Sequence, residues 1–244
     1  MRTIDLPDRF STSRALVAAL AVVVLLRLTP VTDVYQSGAV VLSGNDPYAY
    51  RYAVEQLVQG NAAPWSLPDG VATGEPLLVV TLWLGAVFLG GSQWATDTVI
   101  AWYPVVSALL TALLVYGIAT RASGDPRVGL AAVLLLATIP MHGIRTSVGF
   151  ADHHAFDYVF LVLTVYALVG IVQSANRPHL TDASLLAVGL AGQLLAWEAG
   201  ACGGDSRTSH SWDSVAPRVR GVCTPDGRIR SGKPSSTPAY PCGL

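Results

Sequence analysis

From Thr98 to Thr120 the chain runs 23 residues without one charged side chain, and no other feature constrains its fold as strongly. A hydrocarbon layer about 30 Å thick takes roughly 20 helical residues to cross, so this stretch is long enough by itself. Further apolar segments occupy 15–30, 128–144, 156–174 and 183–197, each bounded by polar residues or turn formers. With 52% hydrophobic residues, 13% charged and a mean hydropathy of +0.47, the 244-residue chain is too apolar for an ordinary soluble domain. The expected fold class is an all-α polytopic membrane protein with these five segments as transmembrane helices.

One more apolar run, Leu77 to Gly90, decides the topology. Its fourteen residues rise about 21 Å as a helix, short of the hydrocarbon core. Charge points the same way. With Arg2, Arg9 and Arg14 on the cytoplasmic side, a crossing at 77–90 puts Arg121 and Arg127 outside, against the positive-inside bias. If 77–90 is instead an outer-surface or re-entrant helix, Arg121, Arg127 and Arg177 are all cytoplasmic. This leaves a cytoplasmic N-terminus at 1–14 and two features on the extracytoplasmic side, the loop 31–97 and the connection 145–155. Two crossings separate them, so they face one compartment and can build one site. Arg27, near the end of the first span, is expected to snorkel to the interface.

The chain changes character after Gly200. Residues 1–200 hold nine arginines, no lysine and thirteen acids; residues 201–244 hold six basic and three acidic residues, and Cys202, Cys223 and Cys242 all lie there. The tail has no apolar period and no credible core, so it is expected to be disordered. The apolar body has no thiolate for a structural zinc centre. A net charge of −1 without clustered Lys and Arg gives no footprint for nucleic acid.

Two short stretches carry candidate chemistry. The first is Gly44-Asn45-Asp46-Pro47, where Asp46 reads structurally as an N-cap with proline at the first helical position and Gly60 ending the helix. An N-cap carboxylate retains a second oxygen for a cation. The second is Arg145-Thr146-Ser147-Val148-Gly149-Phe150-Ala151-Asp152-His153-His154. In extended backbone Asp152 and His154 converge and His153 points away; in a helix they diverge. Carboxylate and imidazole together suit Mn²⁺, and carboxylate with water suits Mg²⁺. The alternative is that Asp152 caps the next helix and the histidines sit at headgroup level. Arg145 either neutralises a carboxylate or binds a phosphate through its planar fork. His142 reads as interfacial.

Those two stretches, in this order after a first span ending in Arg27-Leu28, resemble the catalytic subunit of oligosaccharyltransferase, and the Asp-His-His form is closest to the archaeal branch. The resemblance covers about residues 10–200. It implies a GT-C-like membrane glycosyltransferase that moves a glycan from a polyprenyl (dolichyl) phosphate or pyrophosphate carrier to Asn of an Asn-x-Ser/Thr sequon. It further implies Asp46, Asp152 and His154 as ligands of Mn²⁺ or Mg²⁺, with Asp46 and Arg145 in catalytic positions. His153 and Trp197 become candidate substrate-binding residues. An amide nitrogen is a poor nucleophile, so carboxylates must engage its N–H groups while a cation and Arg145 stabilise the departing phosphate.

The sequence also departs from that family. It lacks the later outer-loop glutamate and the Trp-Trp-Asp-Tyr-Gly motif, and the switch after Gly200 reads as a shifted reading frame. The expectation is therefore a truncated chain, 15–200 being its transmembrane part, weak or inert alone. Two alternatives remain open at this point. One is another polyprenyl-phosphate-dependent glycosyltransferase acting on a hydroxyl or a lipid. The other is a transporter fragment, for which the clustering of acids and histidines in loops is the wrong pattern.

Overall fold

The computed structural model describes residues 9–60, 75–174 and 179–196, all within one compact unit. The described residues are mostly helical. After α1 (Arg9–Arg27) come a single turn α2 (Val31–Val34) and a two-stranded antiparallel hairpin, β1 (Tyr35–Gln36) and β2 (Ala39–Val40). Then follow α3 (Asp46–Val58), α4 (Pro76–Phe88), α5 (Gln93–Ser123), α6 (Pro126–Thr138), α7 (Pro140–Arg145), α8 (His153–Gln173) and α9 (Leu180–Ala196).

The helix starts follow a simple chemistry. α3, α4, α6 and α7 each carry proline in the first turn, where its missing N–H leaves no bond unmade. Ser92 Oγ accepts from Ala95 N at the start of α5, and Asp125 Oδ1 accepts from Arg127 N at the start of α6. The expected helix from Asp46 is present, and Gly60 lies past its end with φ +71.

Two helices, α5 with 31 residues and α8 with 21, are long and apolar enough to cross a membrane; α4, α6 and α9 are shorter apolar helices. The segment 128–144, expected as one span, is broken. Ile139 adopts extended backbone before Pro140, so α6 stops and α7 begins anew. The segment 77–90 is indeed a short helix, α4, which packs between α3 and α5 and also touches α9. Its buried positions, Leu78, Val79, Leu82 and Ala86, form one stripe. The β-hairpin was not expected; Ser37 and Gly38, both with positive φ, make its turn. Trp197, Glu198 and the tail 201–244 lie outside the described residues.

Arg27 does not snorkel. Its side chain is fully buried, with Nε donating to Thr146 Oγ1 at 2.9 Å, one terminal nitrogen to Ala137 O at 2.8 Å and the other bonded to His142 Nδ1 at 2.7 Å. The guanidinium has only donors, so His142 Nδ1 accepts. His142 is accordingly buried too, instead of interfacial. α1 is thereby pinned to α6 and α7, because a desolvated guanidinium must place its N–H groups on nearby acceptors.

The main apolar core joins Leu42, residues of α3 (Tyr50, Ala53, Val54, Leu57), of α4 (Leu78, Val79, Leu82), of α5 (Ile100, Ala101, Val105) and Val148 with Ala151. Each large aliphatic side chain buried there contributes about 1.5–3 kcal/mol. The last two residues place the connection before α8 on the same core as α3. Helices α8 and α9 approach closely over glycine: a Cβ at Gly192 would fall 2.1 Å from Phe160 Cδ1. Gly192→Ala gains up to about 1 kcal/mol of helix propensity but forces the ring aside, costing roughly 1–3 kcal/mol. The expected result is a lower melting temperature in detergent; a melt at or above that of the unchanged chain would contradict this packing.

Candidate active site

Helix α8 begins at His153, and the residue before it, Asp152, is extended at φ −143, ψ 149. An N-cap carboxylate ordinarily accepts a backbone N–H of its own helix. Asp152 makes no such bond. Its side chain turns away, and Arg145 at the end of α7 donates to Oδ2 at 2.5 Å. His153 Nδ1 lies 2.8 Å from Oδ1, and His154 Nε2 lies 3.8 Å from Oδ2. The two imidazoles are tilted against each other with ring centroids 4.2 Å apart. Asp152, His153 and His154 each offer a ligand atom, and these atoms lie within 4.8 Å of one another.

The sequence reading had His153 pointing away from Asp152 in an extended strand. The helix starts one residue earlier than that picture requires. The first turn of α8 keeps both rings beside the carboxylate, and His153 makes the shorter contact.

Asp152 is buried, which pushes its carboxyl up, but the His153 hydrogen bond and the nearby charges of His153, His154 and Arg145 outweigh burial and hold it below the usual carboxylate range. A carboxyl depressed in the folded state contributes stability that is complete above the unfolded value of about 4 and is lost as pH falls through the folded one. At neutral pH Asp152 is therefore a carboxylate; burial lowers the His153 imidazole, but its hydrogen bonds to Asp152 and Glu75 outweigh that and push it up to about 10, so the ring is protonated there.

The connection is held in place by its backbone. Val148 N donates to Arg27 O, Gly149 N to Ala101 O, and Gly149 O accepts from Ser43 N at 2.9 Å. Pro104, inside α5, has no N–H for the carbonyl of Ile100, the residue next to Ala101. Tyr103 of α5 donates its hydroxyl to the main-chain oxygen of Asp152. The Ser43–Gly149 bond fastens the loop that leads into Asp46 against the connection that leads into Asp152.

Asp46 itself is exposed at the first position of α3 and is not in the acid–histidine group. The structure thus gathers Arg145, Asp152, His153 and His154, and leaves Asp46 outside that group at the start of α3. Two contributors were missed. Glu75, immediately before α4, receives the Tyr50 hydroxyl on Oε2 and lies 3.1 Å from His153 Nδ1 through Oε1. Its signal was the acid–proline pair Glu75-Pro76, the same helix-start pattern as Asp46-Pro47. Arg27 was read as a boundary residue although it supports the connection. A cavity of about 730 Å³ lined by Arg27, Pro140 and Ser147 opens elsewhere and contains none of the acid–histidine residues.

Fold and site together define a helical protein with two helices long and apolar enough to cross a membrane and an acid–histidine cluster at the start of α8. The family description "Oligosaccharyl transferase STT3, N-terminal" matches residues 17–200. The chain therefore belongs to the oligosaccharyl transferase STT3 family. It is 31% identical over 150 residues to the dolichyl-phosphooligosaccharide-protein glycotransferase 3 of Archaeoglobus fulgidus, an alignment covering 58% of this chain and 17% of that protein. In fold it is similar to the apo crystal structure of the A. fulgidus oligosaccharyltransferase, with a TM-score of 0.68 at 22% identity over 79% of this chain and 24% of that one. The archaeal AglB structure in complex with an inhibitory peptide and a dolichol-phosphate gives a TM-score of 0.66 at the same 22% identity, 79% and 24% coverage. The complex with Zn and sulfate gives 0.65 at 23% identity, covering 76% of this chain and 25% of that one. The chain spans about a sixth of the curated relative's length and a quarter of the solved chains'.

Proposed function

We propose that this chain forms the cation- and carrier-phosphate-binding part of an oligosaccharyltransferase, which moves a lipid-linked oligosaccharide onto Asn of an Asn-x-Ser/Thr sequon. The observation that carries the reading is the convergence of Arg145, His153 and His154 on the buried carboxylate of Asp152. Carboxylate and imidazole together fit a divalent cation that accepts both oxygen and nitrogen, Mn²⁺ better than Mg²⁺. Asp152 and His154 would hold it, with Asp46 joining from the loop fastened through Ser43. When bound, such a cation supplies Lewis-acid stabilisation of charge on the departing phosphate.

The remaining work falls to the chain's own groups. Arg145 spends one N–H on Asp152 and keeps its others for a phosphate oxygen, a planar fork suited to the mono- or pyrophosphate of a polyprenyl or dolichyl carrier. Its guanidinium also lies over the Phe150 ring, 5.4 Å from the centroid, which restricts where the fork points. His153 and Trp197 are assigned to the substrate, and Asp46 to the acceptor amide. The reading places the protein in the cell membrane with five crossings, α1, α5, α6 with α7, α8 and α9, and with the site on the extracytoplasmic side. The relative solved with a dolichol-phosphate and the one tethered to an acceptor peptide containing an NVT sequon support this choice of partners.

The test reads binding. Detergent-solubilised chain is titrated with dolichyl phosphate in the presence of Mn²⁺. Arg145→Gln is expected to weaken retention of the lipid about tenfold or more, the worth of one charge-assisted bond, while Mn²⁺ uptake persists. Equal lipid retention by the two proteins would sink the assignment of Arg145 to phosphate.

A further inference from the structure

Glu75 precedes α4 at the N-cap position and does no capping there. Its carboxylate is committed at both ends instead. Oε2 accepts the Tyr50 hydroxyl from α3, and Oε1 faces His153 Nδ1 at 3.1 Å. Asp152 Oδ1 lies 2.8 Å from that same nitrogen. Two carboxylate oxygens from different elements thus converge on one ring nitrogen, which holds a single proton or a single lone pair.

Around an octahedral cation with bonds of about 2.0–2.2 Å, neighbouring ligand atoms stand about 3 Å apart. The two separations at His153 Nδ1, 2.8 and 3.1 Å, fall on either side of that edge. We infer that Glu75 is a ligand of the divalent cation, binding through Oε1 beside Asp152 Oδ1 and His153 Nδ1. The inference rests on the reading of a cation at Asp152 and extends it to a residue on another helix. His153 accordingly moves from the substrate to the ligand set. Tyr50 is a positioning residue: by holding Oε2 it leaves only Oε1 to face the site. The ion would join the starts of α4 and α8.

The experiment is a Mn²⁺ titration of the whole chain in detergent, following the signal of free Mn²⁺ by electron paramagnetic resonance, with the Mn²⁺-dependent rise in melting temperature as a second readout. Glu75→Gln, close in shape and without charge, is expected to weaken Mn²⁺ about tenfold or more and to lose most of the thermal shift. Tyr50→Phe weakens it by less, in the same direction. Asp152→Asn abolishes uptake. Unchanged helical circular dichroism shows that the variants fold; should Glu75→Gln fail to fold, Glu75→Asp keeps the charge, withdraws the oxygen and must also weaken Mn²⁺. If the Glu75 variants bind as the unchanged chain does while Asp152→Asn does not, the inference alone is overturned. If the unchanged chain takes up no Mn²⁺, or Asp152→Asn binds normally, the cation site itself is overturned with it.

Discussion

Arg27→Ala is expected to destabilise the chain by about 3–6 kcal/mol and to lower its melting temperature more than any other single change considered. The guanidinium is fully buried and donates to three acceptors from three places: Ala137 O in α6, His142 Nδ1 in α7 and Thr146 Oγ1 just past it. Truncation leaves Ala137 O and His142 Nδ1 without a donor, each costing roughly 1–3 kcal/mol, and opens a cavity as well. Thr146 suffers less, because its hydroxyl also bonds His142 O. One effect opposes the loss: a buried cation carries a desolvation cost that alanine removes. That relief is partial, since all three guanidinium nitrogens are already bonded. Arg27→Lys separates charge from geometry. An ammonium keeps the charge but lacks the fork, so lysine should lose at least half of the same stability. A lysine variant that melts with the unchanged chain would show that charge alone is what α1 supplies.

Gly149→Val carries the second large effect. Gly149 has φ +80, a region that costs a β-branched residue dearly, and a Cβ there would lie 2.4 Å from Val34 Cγ2 and 3.2 Å from Cγ1. Neither neighbour has room, because Val34 is itself buried in the main core. Strain and overpacking together amount to about 2–5 kcal/mol. The consequence for the site is more specific than the loss of stability. Gly149 bonds Ala101 through its N–H and Ser43 through its carbonyl, so pushing it away from Val34 separates the two loops that flank the site. Mn²⁺ affinity should therefore fall with the melting temperature, although residue 149 offers no ligand atom. A valine variant that folds as well as the glycine protein and binds Mn²⁺ equally would show that the two loops need not touch.

Much of the architecture was legible from local rules. Pro47, Pro76 and Pro126 each mark a helix start, Gly60 and Gly124 each lie past a helix end at positive φ, and the charge-free run from Thr98 to Thr120 lies inside the long helix α5. The sequence reading differs from the structure at one local breaker and at two residues with long-range partners. Pro140 divided a span that hydropathy alone joins, because hydropathy averages over the residue whose backbone has to turn. Arg27 looked like a snorkelling residue because its three acceptors lie 110 to 119 residues away in sequence. Glu75 drew no reading at all, because the side chains that engage it, Tyr50 and His153, come from α3 and α8.

The sequence by itself determined the class: apolar runs of bilayer length, a lysine-free body, and the ordered pair Asp46-Pro47 and Arg145 to His154 that places the chain in its family. Those features are composition, period and spacing, each read within a few tens of residues. Only the tertiary structure decided which groups meet. It brought His153 rather than His154 closest to Asp152, added Glu75, buried Arg27 beneath the connection and left Asp46 exposed at the start of α3. The physical reason is that a buried charge takes whichever partner the packed core delivers within hydrogen-bond reach. Here that core, from Leu42 through α3, α4 and α5 to Ala151, assembles from segments a hundred residues apart.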